Sequence, residues 1–517
     1  MQADKVVENT DSPRLSRRDP FASPEVSKNL RKSSVRGASV MSMSRVANMG
    51  LRFIATGILA RMLAPGDFGL VAMTAVISGF FAMFMDVGLT QATIQRPEIT
   101  RPQISTLFWI NVALGCSIAL VVFLIAPLVA AFYKEPRVAD ITRVLALTFV
   151  IGGIGVQHQA LLSRNMRFAV LASVDVASVL LGIVVGVTMA TQGYGYWALV
   201  GMTVMIAVVK TAGVWIALRW LPGLPQRGHG VKDMLRFGGD VFGFSIVNYF
   251  SRQADNVLIG RFCGASPLAL YEKAYVLLLM PVSQINGPLS SVTVPALSRL
   301  QKEPDRFSRF YLNAVQVVCS IGIPMVMGIA LFADQVVLLW LGSDWAESAS
   351  MFRLLAVAAA IGGISNPVGW LLISLGLTRR YRLLGIANSS IIVLAFVMGL
   401  LFGPEKGDTG YSMKGVAIAY SIAMAVNFIP FWWLAVRGTP VTLISVLKTM
   451  LAPVAACVPA AGIVLLTKHF IGEQANEWLP TIALGLAFGL IYGAVLLFGF
   501  KKLEFFKRIA GEFRSRK

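Results

Sequence analysis

The chain has 517 residues, 56% of them hydrophobic and only 14% charged, with a mean hydropathy of +0.70 and a net charge of +20. Globular soluble domains carry about 25% charged residues, so this composition excludes an ordinary soluble protein and points to the bilayer. The four cysteines are scattered without motif spacing, which leaves no disulfide framework or metal site and reads as small buried hydrophobes.

Residues 1–37 are polar, rich in Ser, Arg, Asp and Pro, and lack the apolar core of a signal peptide. They read as a disordered cytoplasmic tail, either passive or a dock for a partner enzyme. Apolar runs of roughly 20 residues then recur to the end, each long enough to cross a ~30 Å hydrocarbon layer as a helix. About fourteen such spans are expected, so the fold class is an all-α integral membrane protein. Their cores lie near 38–61, 69–95, 104–131, 141–162, 169–191, 196–218, 237–260, 268–294, 309–333, 350–375, 382–402, 413–436, 443–467 and 479–499. The first and seventh carry arginines and are the least apolar.

Alternate connections are basic. They hold Arg96 and Arg101; Arg164 and Arg167; Arg219, Arg227, Lys232 and Arg236; Arg299, Lys302, Arg306 and Arg309; Arg379, Arg380 and Arg382; and Arg437. The intervening ones are poor in cations or acidic, as at Asp344 with Glu347 and Glu473 with Glu477. The positive-inside rule places the basic set, and with an even span count both termini, in the cytoplasm. The net charge is therefore a topology signal addressed to anionic lipid, not to nucleic acid. The basic tail 500–517, with Phe500, Leu503, Phe506 and Ile509 at helical spacing, reads as an interfacial helix on the inner leaflet.

No constellation for covalent or metal chemistry is visible. The three histidines, His158, His229 and His469, are far apart. No nucleotide-binding Gly-Lys loop or nucleophile elbow occurs, and Gly193-Tyr194-Gly195-Tyr196-Trp197-Ala198 falls in a short outer loop rather than between a strand and a helix. The connections are too short for a soluble catalytic domain, so neither an enzyme nor a cofactor is expected. Gly182-x-x-x-Gly186 and Gly485-x-x-x-Gly489-x-x-x-Gly493 are expected to pack helices closely.

Charged residues in hydrocarbon cost about 2.5–3.5 kcal/mol each on insertion scales, so they face a cavity or a partner. In the first span Arg45, Asn48 and Arg52 recur at i, i+3 and i+7, on one helical face. An offset of 200 positions repeats the pattern in the seventh span, pairing Asn48 with Asn248, Arg52 with Arg252 and Arg61 with Arg261. A repeat in a multi-span chain is a transporter signature. Arg45, Asn48, Arg52, Asn248 and Arg252 are thus the candidates for a cavity that binds an anionic, phosphate-bearing substrate, because guanidinium binds phosphate bidentately and keeps its charge. Asp86, Asp255, Glu272 and Lys273 are candidates for proton or sodium coupling, or for ion pairs that hold the halves together. Arg61 and Arg261, near the outer helix ends, are candidates for a gate or a cap. Gln284 and Asn286 add further polar groups to the eighth span.

The stretch Thr56-Gly57-Ile58-Leu59-Ala60-Arg61-Met62-Leu63-Ala64-Pro65-Gly66-Asp67-Phe68-Gly69-Leu70 resembles the opening of bacterial polysaccharide transporters. Asp86-Val87-Gly88-Leu89, Asp255-Asn256 with Ile259-Gly260-Arg261, and Pro295-Ala296-Leu297-Ser298-Arg299-Leu300 extend the likeness from about residue 38 to about 440. The family is the Wzx-type lipopolysaccharide and exopolysaccharide flippases of the multidrug/oligosaccharidyl-lipid/polysaccharide exporter superfamily, with Ala269-Leu270-Tyr271 a mild departure from its Gly-Leu-Tyr.

The resemblance implies a MATE-like fold of two six-helix lobes, 38–220 and 237–437, joined by a cytoplasmic loop 221–236, with two appended helices in 438–499. It implies an undecaprenyl-diphosphate-linked oligosaccharide as substrate, flipped by alternating access, with a polysaccharide polymerase and glycosyltransferases as partners. The competing expectations are a cation-coupled multidrug-type exporter, a peptidoglycan-precursor flippase, a membrane-embedded polymerase or acyltransferase, and a purely structural assembly protein.

Overall fold

The computed structural model describes residues 30–85, 90, 93–94, 99–225, 242–407, 409–472 and 477–507. Sixteen α-helices follow one another: α1 Leu30–Ala60, α2 Pro65–Met85, α3 Arg101–Tyr133, α4 Arg137–Arg164, α5 Phe168–Thr191, α6 Trp197–Leu218, α7 Phe242–Phe262, α8 Ala265–Arg299, α9 Pro304–Leu331, α10 Ala333–Trp340, α11 Ala346–Ser365, α12 Pro367–Ser374, α13 Thr378–Phe402, α14 Met413–Val436, α15 Leu443–Ile471 and α16 Trp478–Ala494. Helices suit apolar runs of this length, because an intra-segment ladder satisfies every backbone N–H and C=O group in lipid. Where the ladder starts, side chains take over: Thr100 and Gln103 cap α3 reciprocally, and Ser412 accepts the Gly415 N–H of α14 at 2.8 Å.

Among the described residues, eleven segments are long and apolar enough to cross a membrane, with α11 and α12 counted as one. With the polar helices α1, α7 and α8, of 31, 21 and 35 residues, the long segments among the described residues number fourteen, as many as the spans expected. Two details differ from the expectation. α1 starts at Leu30, ahead of the span expected from 38. The short helix α10 between α9 and α11 was not anticipated, because eight residues carry too little periodicity to declare themselves.

Helices α1–α6 form one lobe, in which α3 packs on α4, α5 on α6, α4 on α6 and α1 on α5. The second lobe is built from α7–α14, with α13 on α14, α8 and α14 on α11, and α7 on α13. The appended α15 packs on α9, and α16 on α15. Small residues set the closest approaches, since lipid gives helices no hydrophobic reason to associate and contact must come from tight packing. A Cβ built on Gly399 would lie 2.2 Å from the Gly415 carbonyl oxygen, so α13 and α14 touch backbone to backbone. Gly182 and Gly186 do the same service for α5 against Met202 of α6. Gly485, Gly489 and Gly493 do not: nothing lies within 4 Å of a Cβ on any of them, and that expected packing stripe is unused within the described chain.

The segment that leaves the first lobe is pinned to it. Trp109 Nε1 donates to the Gly223 carbonyl at 2.9 Å, Ser105 accepts the Gly223 N–H at 3.0 Å, and His158 lies flat on Trp215 with ring centroids 4.2 Å apart.

Gly399→Val puts two methyl groups into backbone that cannot recede. Overpacking of that kind costs about 1–3 kcal/mol. A lowered melting temperature of the detergent-solubilised protein is the expected outcome, and an unchanged one would show that α13 and α14 separate freely.

Candidate functional site

The two lobes meet at the end of the molecule where α1 turns into α2. There one continuous apolar cluster crosses the seam, joining Leu59, Leu63, Phe68 and Met73 of the first lobe to Ile259, Leu268, Tyr271, Trp345 and Phe352 of the second. Gly69 makes the approach possible: a Cβ there would fall 1.8 Å from the Ala265 carbonyl oxygen. Trp345 Nε1 donates to the Ala60 carbonyl at 2.9 Å, and its ring meets Phe68 edge-on at 5.2 Å. Trp340, at the end of α10, lies parallel on Phe53 at 4.3 Å and donates Nε1–H to the Phe53 carbonyl at 2.9 Å. It fits because residue 57 is glycine; a Cβ there would come within 2.9 Å of the Trp340 ring and carbonyl.

Below this seal lies a cavity of about 430 Å³ lined by α1 residues Arg45, Asn48, Met49, Arg52, Phe53 and Thr56, by Val276, Leu277 and Met280 of α8, and by Trp340. Among the described residues its wall carries two guanidinium groups and no carboxylate. Neither Arg45 nor Arg52 forms an ion pair among the described residues, and the Asn48 carbonyl oxygen has no hydrogen-bond partner. Cations held in a partly apolar cleft without a counter-ion leave their donors free for an anion.

The other sequence-selected residues lie elsewhere. Arg252 is exposed on α7, off the cavity wall but within electrostatic reach of Tyr275 and Tyr420. Arg252 and Asp255 do not pair. Asp255 is 2% exposed, makes no ion pair among the described residues, and accepts the Tyr271 hydroxyl at 3.0 Å and the Asn256 N–H at 2.8 Å. Glu272 pairs with its neighbour Lys273 at 3.4 Å, and the Lys273 ammonium sits 4.9 Å over Phe68 of the opposite lobe. Asp86 and the side chain of Asn248 lie outside the described residues. Arg61 and Arg261 both reach across the seam: Arg61 donates to the Leu339 carbonyl, and Arg261 stands 5.8 Å over Phe132. The repeat-related arginines thus clasp the closed end from both sides.

Sequence reasoning missed the rest of the wall. Met49 and Thr56 were within reach, since they extend the 45, 48, 52 stripe by helical spacing. Trp340 was not, because nothing in an eight-residue connection announces that it folds back against α1.

The sequence pattern of a family described as polysaccharide biosynthesis protein matches residues 58–350, more than half of the chain. The chain belongs to that family. It is 27% identical over 463 residues to the teichuronic acid biosynthesis protein TuaB of Bacillus subtilis strain 168, covering 88% of this chain and 94% of that one. It is 26% identical over 474 residues to the succinoglycan biosynthesis transport protein ExoT of Rhizobium meliloti, with 90% and 93% covered, and 25% identical over 414 residues to the lipopolysaccharide biosynthesis protein WzxC of Escherichia coli K12, with 79% and 82% covered.

The fold is that of the exporter superfamily expected from the sequence. The inward closed lipid II flippase MurJ superposes with a TM-score of 0.67 at 12% identity, over 90% of this chain and 99% of that chain. An inward-facing multidrug MATE transporter gives 0.60 at 17% identity, over 75% and 94%. The protein is a multi-pass bacterial membrane protein of polysaccharide biosynthesis with a transporter fold.

Trp340→Ala removes the plug seated on Gly57. Thiol reagent applied from the α1–α2 turn side is expected to label Thr56→Cys at least several-fold faster in that variant, in a background with the native cysteines replaced by alanine. Equal rates would mean that Trp340 does not close the cavity.

Proposed function

We propose that this protein flips an undecaprenyl-diphosphate-linked oligosaccharide from the cytoplasmic to the periplasmic leaflet by alternating access. The observation that carries the reading is the inter-lobe cavity with Arg45 and Arg52 on its wall, no acid beside them among the described residues, and a seal at one end. The diphosphate is the natural counter-ion. Guanidinium holds it in bidentate, charge-assisted hydrogen bonds. The lipid tail needs no site, because it stays in the bilayer while the head group crosses.

The basic connections support an orientation. Arg164, Arg167, Arg219, Arg299, Lys302, Arg306, Arg309, Arg379, Arg380, Arg382 and Arg437 all belong to the end opposite the α1–α2 turn, whereas Asp344, Glu347 and Glu405 belong to the turn end. With the basic end in the cytoplasm the sealed end faces the periplasm, and the cavity is in its cytoplasm-facing state. Rocking the lobes apart at Trp340, Trp345 and the Arg61 and Arg261 clasps would expose the same arginines to the other side.

A multidrug-type exporter of organic cations is disfavoured by the same wall, which among the described residues offers a cation two like charges and no carboxylate. A peptidoglycan-precursor flippase would share the diphosphate logic. The names of TuaB, ExoT and WzxC support the polysaccharide substrate instead. Asp255 is the carboxyl best placed for coupling to a proton or sodium gradient: it is buried, uses a tyrosine hydroxyl rather than a cation as partner, and sits on the helix that packs against α2 of the opposite lobe.

Arg52→Ala and Arg45→Ala are expected to lower polymer export roughly 10- to 100-fold, the worth of about 1.5–3 kcal/mol for a charged hydrogen bond. Lipid-linked oligosaccharide should accumulate on the inner leaflet at unchanged protein level, and Arg52→Lys should retain part of the activity. Normal export in both alanine variants would sink the arginine-lined path; disappearance of the protein would make the arginines structural.

Asp255→Asn keeps the shape and an acceptor for Tyr271. Export that no longer responds to collapsing the proton or sodium gradient, in a protein that still accumulates, is the expected result. A wild-type response would clear Asp255 of coupling.

A further inference from the structure

The face of α8 that lines the arginine cavity continues beyond it. At about 100° per residue, Val276, Leu277 and Met280 point to one side of α8, and Gln284, Gly287 and Ser291 fall on the same side. The opposite side is the packing face. Val282 lies against Gly363 of α11, Asn286 donates to the Gly363 carbonyl at 3.4 Å, and Leu297 is fully buried. Gln284, Gly287 and Ser291 are all exposed, and the Gln284 amide has no hydrogen-bond partner among the described residues. Facing lipid, an unpaired amide in mid-helix would be costly; facing a hydrated cleft it is a ready donor and acceptor. The Ser291 hydroxyl donates to the Pro288 carbonyl at 2.7 Å, which leaves its lone pairs free to accept. A Cβ on Gly287 would meet nothing within 4 Å, so the glycine serves no packing contact and leaves the wall recessed there. On the facing α1, Ser42 extends the edge of the Arg45 and Arg52 face toward the same mouth and is exposed.

Along the α8 face in register with the cavity wall, the chemistry thus changes from the apolar side chains opposite the guanidinium groups to exposed uncharged amide and hydroxyl beyond them. The part next to the seal, at about 430 Å³, is of the size that takes one small ligand, within the ~300–1,000 Å³ of ordinary sites. A diphosphate fits that description, and an oligosaccharide attached to it has to extend toward the mouth. We propose that the α8 face formed by Gln284, Gly287 and Ser291 is a saccharide subsite, which binds sugar hydroxyls next to the arginine-held diphosphate. Amide and hydroxyl groups suit it because they exchange donors and acceptors with vicinal diols without adding charge, and the recess at Gly287 gives a pyranose ring access to the backbone. This rests on the flippase reading above and assigns the sugar moiety to the second lobe.

The test compares two probes on the full-length protein in nanodiscs: bare undecaprenyl diphosphate, and the lipid-linked oligosaccharide fraction extracted from the cells that make this protein. The expected result is tighter binding of the sugar-bearing lipid by wild type. In the double variant Gln284→Ala, Ser291→Ala that preference should fall roughly three- to tenfold, the worth of one or two neutral hydrogen bonds, with binding of the bare lipid unchanged. Gly287→Leu is the fold-safe partner experiment, since there is open space at the position; it should block the sugar-bearing lipid and spare the bare one. Arg52→Ala should weaken both lipids equally. Wild-type preference in the double variant, or equal loss of both lipids, overturns the subsite. Failure of wild type to bind either lipid would overturn the flippase reading itself, and is a different outcome from loss of preference.

Discussion

Two unpaired guanidinium groups within a membrane-spanning bundle are the constraint from which the rest of this structure follows. Arg45 and Arg52 carry no counter-ion among the described residues, and each such charge is costly in hydrocarbon. They persist because α1 presents them to a cleft between lobes instead of to lipid. That in turn requires a first helix polar enough to fall short of an apolar span by hydropathy alone. It also requires a seal, since a water-filled path open at both ends would leak. The seal is made from what an interior without a hydrophobic driving force can use: glycines at 57 and 69 that let backbone meet ring and backbone, and tryptophans 340 and 345 that fill the space and spend their N–H groups on carbonyls of the opposite lobe.

How much of this was legible in the sequence follows from period and length. The spans were legible because apolar runs of that length have one stable form in a bilayer. The Arg45, Asn48, Arg52 face was legible because polar residues at helical spacing in an apolar run are conspicuous, and the cavity wall includes all three. The repeat at Arg61 and Arg261 was legible as spacing, but its meaning was not: a snorkelling arginine and one that reaches a carbonyl or a ring on another lobe look alike in one dimension. Trp340 was illegible for the same reason. Tertiary contacts between segments some 280 positions apart, as between Phe53 and Trp340, leave no periodic trace.

The repeat also breaks where it would have been most natural to keep it. Arg52 and Arg252 match in sequence, yet only Arg52 is on the cavity wall. The seventh helix turns its chemistry toward the second lobe's interior, where Asp255, Tyr271, Tyr275 and Tyr420 form a buried polar group. The two helices share a sequence pattern but present it differently: α1 sets Arg45 and Arg52 on the cavity wall, and α7 buries a carboxyl held by a tyrosine hydroxyl.

That division has a mechanical consequence. Among the described residues both cavity cations come from α1 of one lobe, and the other lobe supplies Val276, Leu277, Met280 and Trp340. A bound anion would therefore travel with the first lobe when the lobes rock, and the second would move past it. Had both lobes carried a cation, the anion would bridge them and favour the closed cleft, opposing the separation that release requires. With charge on one side only, the attraction to the substrate is nearly independent of how far the lobes are apart, so binding need not hinder opening. On the proposed flippase reading, the resistance to opening would then reside in the seal, in Trp340 against Gly57 and in the two arginine clasps, and not in the arginine cavity.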